Sequence, residues 1–87
     1  MSLRDATYTA TAAYLSAFDD DELVKLNIYR VILEEVEKGI LEATLQRCSF
    51  NQAWAADILG LSRNTLRKKM QELGLELTAH EKRRKKN

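Results

Sequence analysis

Proline is absent from the 87 residues and glycine occurs three times, so long helices meet few obligatory breaks. One cysteine, Cys48, and one histidine, His80, exclude an intramolecular disulfide and a Cys/His zinc site built from a single chain. The same scarcity argues against an enzyme, because one His, one Cys and solvated carboxylates cannot supply a nucleophile, a base and an orienting partner. A phosphate-cradling glycine loop is missing, and no metal or other cofactor is expected. No apolar run approaches the roughly 20 residues that span a bilayer, and the N-terminus lacks a hydrophobic signal core. A reducing, cytoplasmic setting and no membrane partner are therefore expected.

What is present is helical in character. Hydrophobic residues make up 45% of the chain in spacings that recur every three or four positions rather than alternating, which predicts an all-α fold. A chain this short buries a modest fraction of its surface, so oligomerisation is a natural remedy for marginal stability. The formal charge of +1 hides an asymmetry. Residues 1–50 carry five bases against nine acids, a net of −4, whereas residues 51–87 carry nine against four, a net of +5. A basic C-terminal half seeks polyanions and an acidic N-terminal half avoids them.

Along the chain, Ala10, Ala12, Ala13, Tyr14 and Leu15 predict a first helix over about 7–18, and the run Asp19 to Glu22 caps the next. From about Asp21 to Arg47 a broad apolar stripe of Leu26, Tyr29, Leu33, Val36, Ile40 and Ala43, flanked by Ile28, Ile32 and Leu41, predicts one long helix. That stripe is too wide for one short partner helix, so Leu26, Tyr29, Leu33, Val36 and Ile40 are expected to face a second copy in an intertwined homodimer. A monomeric three-helix core is the alternative. Gly39 marks a bend or a close helix–helix approach. Cys48 is expected as a small, half-buried residue at the helix end, followed by Ser49 or Asn51 as the next cap.

Residues 51–70 carry the most specific pattern. Ala55 and Ala56 let two helices cross closely, Gly60 takes the positive φ that ends the first of them, and Leu59, Leu61, Leu66 and Met70 fill the crossing. The helices predicted are about Gln52–Leu59 and about Arg63–Leu73, with Ser62 as N-cap of the second and Gly74 ending it. Left outward are Ser62, Arg63, Asn64, Thr65, Arg67, Lys68 and Lys69. Such donors on the first turns of a second helix suit base edges and phosphates in a major groove, so the pattern points to double-stranded DNA as partner.

The run from Asn51 to Lys69, with its Asn-Thr-Leu-Arg-Lys-Lys core, resembles the C-terminal helix-turn-helix of the Fis family, which also closes sigma-54-dependent activators of the NtrC type. Upstream, Tyr29-Arg30-x-x-Leu33-Glu34-Glu35-Val36-Glu37-Lys38-Gly39-Ile40-Leu41 resembles the dimerisation helix of the same groups. The resemblance implies a four-helix domain, a homodimer, and paired reading helices in successive major grooves of bent DNA. It also implies Ser62, Arg63, Asn64 and Thr65 at base edges and nearby phosphates, Lys68 and Lys69 on the backbone, and Asn51 and Gln52 on phosphate at the start of the third helix. A nucleoid-associated transcriptional regulator is the function implied, with RNA polymerase or an ATPase domain outside this chain as further partner. Trp54, Ala53 and Gly39 depart from the family pattern, since a polar or basic residue, a hydroxyl and a proline are usual there.

Residues 1–77 are thus expected as one dimerisation and DNA-binding domain, and 78–87, with Lys82 to Lys86 consecutive bases, as a basic disordered tail. The opening Met1-Ser2-Leu3 fits a leader ahead of a segment from a longer protein. The competing class is a helical dimeric protein-interaction module whose basic tail meets acidic partners or RNA. Salt-dependent duplex binding separates the two.

Overall fold

The computed structural model describes residues 1–75, and its elements are five helices with no strand among the described residues. They are α1 (Leu3–Leu15), α2 (Asp20–Leu26), α3 (Ile28–Arg47), α4 (Gln52–Leu59) and α5 (Arg63–Glu72). The all-α class expected from the sequence is the one adopted. The expected tail, 78–87, lies outside the described residues.

The chain divides into two units, Met1–Glu34 and Glu35–Asn87. In the first, α1 begins a turn earlier than its alanine pattern suggests because the Ser2 hydroxyl accepts the Asp5 N–H at 3.0 Å, a side-chain cap. It ends at Leu15, where the Ala17 and Phe18 amides tighten onto the Tyr14 and Leu15 carbonyls. Asp19 starts α2 with a capping box, accepting the Glu22 N–H at 2.9 Å while the Glu22 carboxylate accepts the Asp19 N–H at 3.0 Å. Tyr14 and Phe18 pack at a tilt of 58° with ring centroids 5.4 Å apart, yet no described residue of this unit is fully buried.

The single long helix expected from Asp21 to Arg47 is two helices. Asn27 takes the left-handed conformation, φ 53° and ψ 56°, which asparagine tolerates better than most residues. Its carbonyl then accepts the Arg30 and Val31 amides and opens α3. The described helices are therefore five where four were expected, and Leu26 ends α2 instead of sharing a helix with Tyr29, Leu33, Val36 and Ile40.

In the second unit three helix ends close in the same way. A residue with positive φ follows the helix and the next N–H reaches back to a carbonyl in the last turn. At α4 this is Gly60 (φ 73°), with Leu61 N–H on Ala56 at 2.9 Å; at α5 it is Gly74 (φ 71°), with Leu75 N–H on Met70 at 2.7 Å. At α3 the position falls to Ser49 (φ 51°), with Phe50 N–H on Leu45 at 2.7 Å, and Phe50 itself has φ 65°. Two successive non-glycine residues there are strained, and Phe50, packed against the core, helps to hold the turn.

The core joins Leu41, Leu45 and Cys48 of the α3 end to Ala55 and Ala56 of α4 and Leu66 and Met70 of α5, with Phe50, Leu59, Leu73 and Leu75 packed around it. Cys48 is fully buried, deeper than expected of it, because it follows Leu41 and Leu45 at helical spacing on the inward face. Gly39 is neither a break nor a close approach within the chain, since nothing lies within 4 Å of a Cβ added there. Gly39→Ala should therefore raise stability by about 0.5–1 kcal/mol, seen as a higher midpoint in thermal unfolding. A lower midpoint would mean that another chain packs against this point of α3.

Candidate nucleic-acid interface

The candidate interface is built on α4, the Gly60 turn and α5. Ala55 and Ala56 are buried and carry only a methyl each, so α4 can lie close to Leu66 and Met70 of α5. Gly60 ends α4 and two residues later Ser62 caps α5, accepting the Thr65 N–H at 3.0 Å while its hydroxyl donates to Thr65 Oγ1 at 2.9 Å. That cap pins the first turn of α5, the part that would penetrate a groove.

Leu66 and Met70 face inward, with half-buried Leu73 one helical step beyond. Asn64, Thr65, Arg67 and Lys68, midway between them, point away and are exposed, and Arg63, at the N-terminal end of the helix, is exposed as well. Gln71, also exposed, continues that outward row one turn past Arg67 and was missed in the sequence because it lies beyond the basic cluster. At the start of α4, Asn51 is the cap chosen over Ser49: its side chain accepts the Trp54 N–H at 3.1 Å, while Gln52 beside it is half-buried. Trp54 (51% exposed) and Ile58 (53%) form an apolar pair one turn apart on the outer side of α4.

Lys69 is placed differently from its neighbours. Three residues after Leu66, it sits at the edge of the buried seam and turns toward α3, donating to Glu37 Oε2 at 2.8 Å. That hydrogen bond, and then the Glu37 charge, raise its pKa above the usual lysine value; partial desolvation opposes this and the Glu72 charge assists. Lys69 is thus fully protonated at neutral pH. No sequence signal pairs residues 37 and 69, so Glu37 was not recognised as part of this surface.

Of the residues expected to pair two copies, Tyr29, Leu33, Val36 and Ile40 recur at steps of four, three and four along α3 and are all exposed in the single chain, from 38% at Val36 to 74% at Tyr29. Leu26 is exposed as well, on α2. Among the described residues no group of His, Cys, Asp or Glu is arranged to hold a metal ion, and no helix is long and apolar enough to cross a membrane.

Comparison with known proteins agrees with this geometry. The profile of bacterial regulatory proteins of the Fis family matches residues 32–73, which take in most of α3 and the whole of α4 and α5. A Ralstonia nicotianae protein named as Fis-like and DNA-binding is 49% identical over 49 residues, 56% of this chain and 64% of that protein. The DNA-binding protein Fis of Pasteurella multocida is 40% identical over 73 residues, covering 84% of this chain and 72% of the relative. With that identity over that length, on a helix-turn-helix whose caps and crossing are formed as the motif requires, the chain belongs to the Fis family of bacterial regulatory proteins.

Proposed function

We propose that the protein is a transcriptional regulator that binds duplex DNA as a homodimer, with α5 of each copy entering a major groove. The observation that carries this reading is the outward row of α5. Arg63, Asn64, Thr65, Arg67 and Lys68 follow a side-chain cap and project from a helix whose other side is anchored in the core. Both relatives described above are named for DNA binding.

In this proposal Arg63 and Asn64, directly after the cap, meet base edges, with Ser62 and Thr65 beside them. Arg67 and Lys68 bond phosphates and so set register without carrying sequence information. Asn51 and Gln52 add phosphate contacts from the start of α4. Residues 1–77 act as one dimerisation and DNA-binding domain, with the exposed stripe of α3 covered by the second copy. The consecutive bases of the tail add sequence-independent attraction to phosphate. RNA polymerase, or an ATPase domain outside these residues, receives the effect of the bound regulator in the nucleoid of a bacterial cytoplasm.

Arg63→Ala and Lys68→Ala separate the two roles on one helix. On a preferred duplex Arg63→Ala should cost about 1–3 kcal/mol, with a smaller loss on random duplex, whereas Lys68→Ala should weaken both by similar factors. Binding isotherms on the two duplexes measure this directly. Arg63→Ala binding both as tightly as wild type would put α5 outside the groove and remove the proposed function. Because this family's sites are also selected by DNA shape, part of the preference should survive without Arg63.

A further inference from the structure

We propose that Glu37 is a positioning residue for DNA binding: it holds the Lys69 ammonium back against α3 and keeps that charge from counting toward phosphate attraction. The inference rests on the proposed role of α5. Lys69 lies one turn beyond Leu66 on α5, and Glu37 one turn before Leu41 on α3, so both flank the same buried seam from opposite helices. Their side chains meet at 2.8 Å with 36% and 37% of their surface exposed. The other two ion pairs among the described residues, Arg30–Glu34 and Lys38–Glu35, are local pairs of α3 four and three residues apart, whereas this one spans 32 residues. It therefore fixes a cation of α5 relative to the core instead of decorating one helix.

The consequence is electrostatic. Of the four bases of α5, Arg63, Arg67 and Lys68 form no ion pair among the described residues, while Lys69 is neutralised by its partner. A phosphate approaching Lys69 meets a carboxylate beside the ammonium, so the pair offers it no net charge. Attraction to phosphate is independent of sequence, and α5 as built offers three unmatched cations to it instead of four. The charge of Glu37 thus sets how strongly the helix binds any duplex.

The test compares wild type with Glu37→Gln, Glu37→Asp and the double variant Glu37→Gln with Lys69→Met on a preferred and a random duplex, from 50 to 200 mM salt, below every variant's melting transition. Glu37→Gln removes the charge at constant length. It should steepen the slope of log affinity against log salt by about 0.9 per chain, so that its advantage over wild type is about 3.5-fold larger at 50 mM than at 200 mM for each chain engaged. Both duplexes should gain by similar factors. The double variant, again neutral at this point, should return to the wild-type slope, and Glu37→Asp should keep it. A Glu37→Gln slope equal to that of wild type, or a loss of affinity without a change of slope, would reduce Glu37 to a stabilising contact. If wild type itself showed no salt-dependent duplex binding, the proposed function would fall instead, so the two failures are distinct.

Discussion

Val36→Asp should dissociate and unfold the protein together. Val36 sits mid-way along the exposed stripe of α3, between Leu33 and Ile40, and keeps 38% of its surface accessible in one chain. If the chain works alone, an aspartate there remains in water and costs no more than an ordinary surface change in a helix, within about 0.5 kcal/mol. If a second copy covers the stripe, the same aspartate is an unpaired charge in an apolar interface and costs several kcal/mol. For a domain this small that is most of its total stability, and folding and assembly are linked by mass action. Light scattering at micromolar concentration should give about twice the 10.0 kDa chain mass for wild type and a loss of that species for the variant. A wild-type mass of one chain, with Val36→Asp as stable as wild type, would leave the stripe without its proposed partner.

Leu66→Ala should cost about 2–5 kcal/mol and take duplex binding with it. Leu66 is fully buried, and it is the side chain through which the first turns of α5 reach the core formed with Leu41, Leu45, Ala55 and Ala56. The α4 members of that core are alanines, which have no length with which to fill the space left behind, and this limits the collapse that could offset the cavity. At about 4–8 °C per kcal/mol for a domain of this size, the melting transition should fall by at least about 8 °C. Far-UV circular dichroism during thermal unfolding measures the shift. Arg63→Ala, on the exposed side of the same helix, should leave the transition close to wild type. That contrast separates loss of the scaffold from loss of a contact, and a Leu66→Ala protein as stable as wild type would contradict the packing of α5.

The helix-turn-helix was legible from residues 51–74 because its signals are local. Small residues at the crossing, a glycine where φ must be positive, a serine three residues before the amide it caps, and leucines at helical spacing each act within one turn of chain. The α3 stripe was legible for the same reason. The break at Asn27 was not, since an asparagine inside an apolar period is as compatible with a helix interior as with a left-handed residue, and only the capped geometry of α2 and α3 selects between them.

The sequence by itself determined the helical class, the family, the turn at Gly60, the cap at Ser62 and the outward placement of Arg63, Asn64, Thr65, Arg67 and Lys68. Each depends on interactions within a few residues, where periodicity and propensity act. Tertiary structure alone decided that Cys48 is fully buried, that Ser49 carries the helix-ending conformation glycine usually supplies, and that Lys69 is drawn away from its basic neighbours by Glu37. Those outcomes depend on which side chains from distant helices share one seam. An ammonium at the edge of that seam bonds a carboxylate 32 residues away because packing brings the two helices together, and no local pattern in either segment records the encounter.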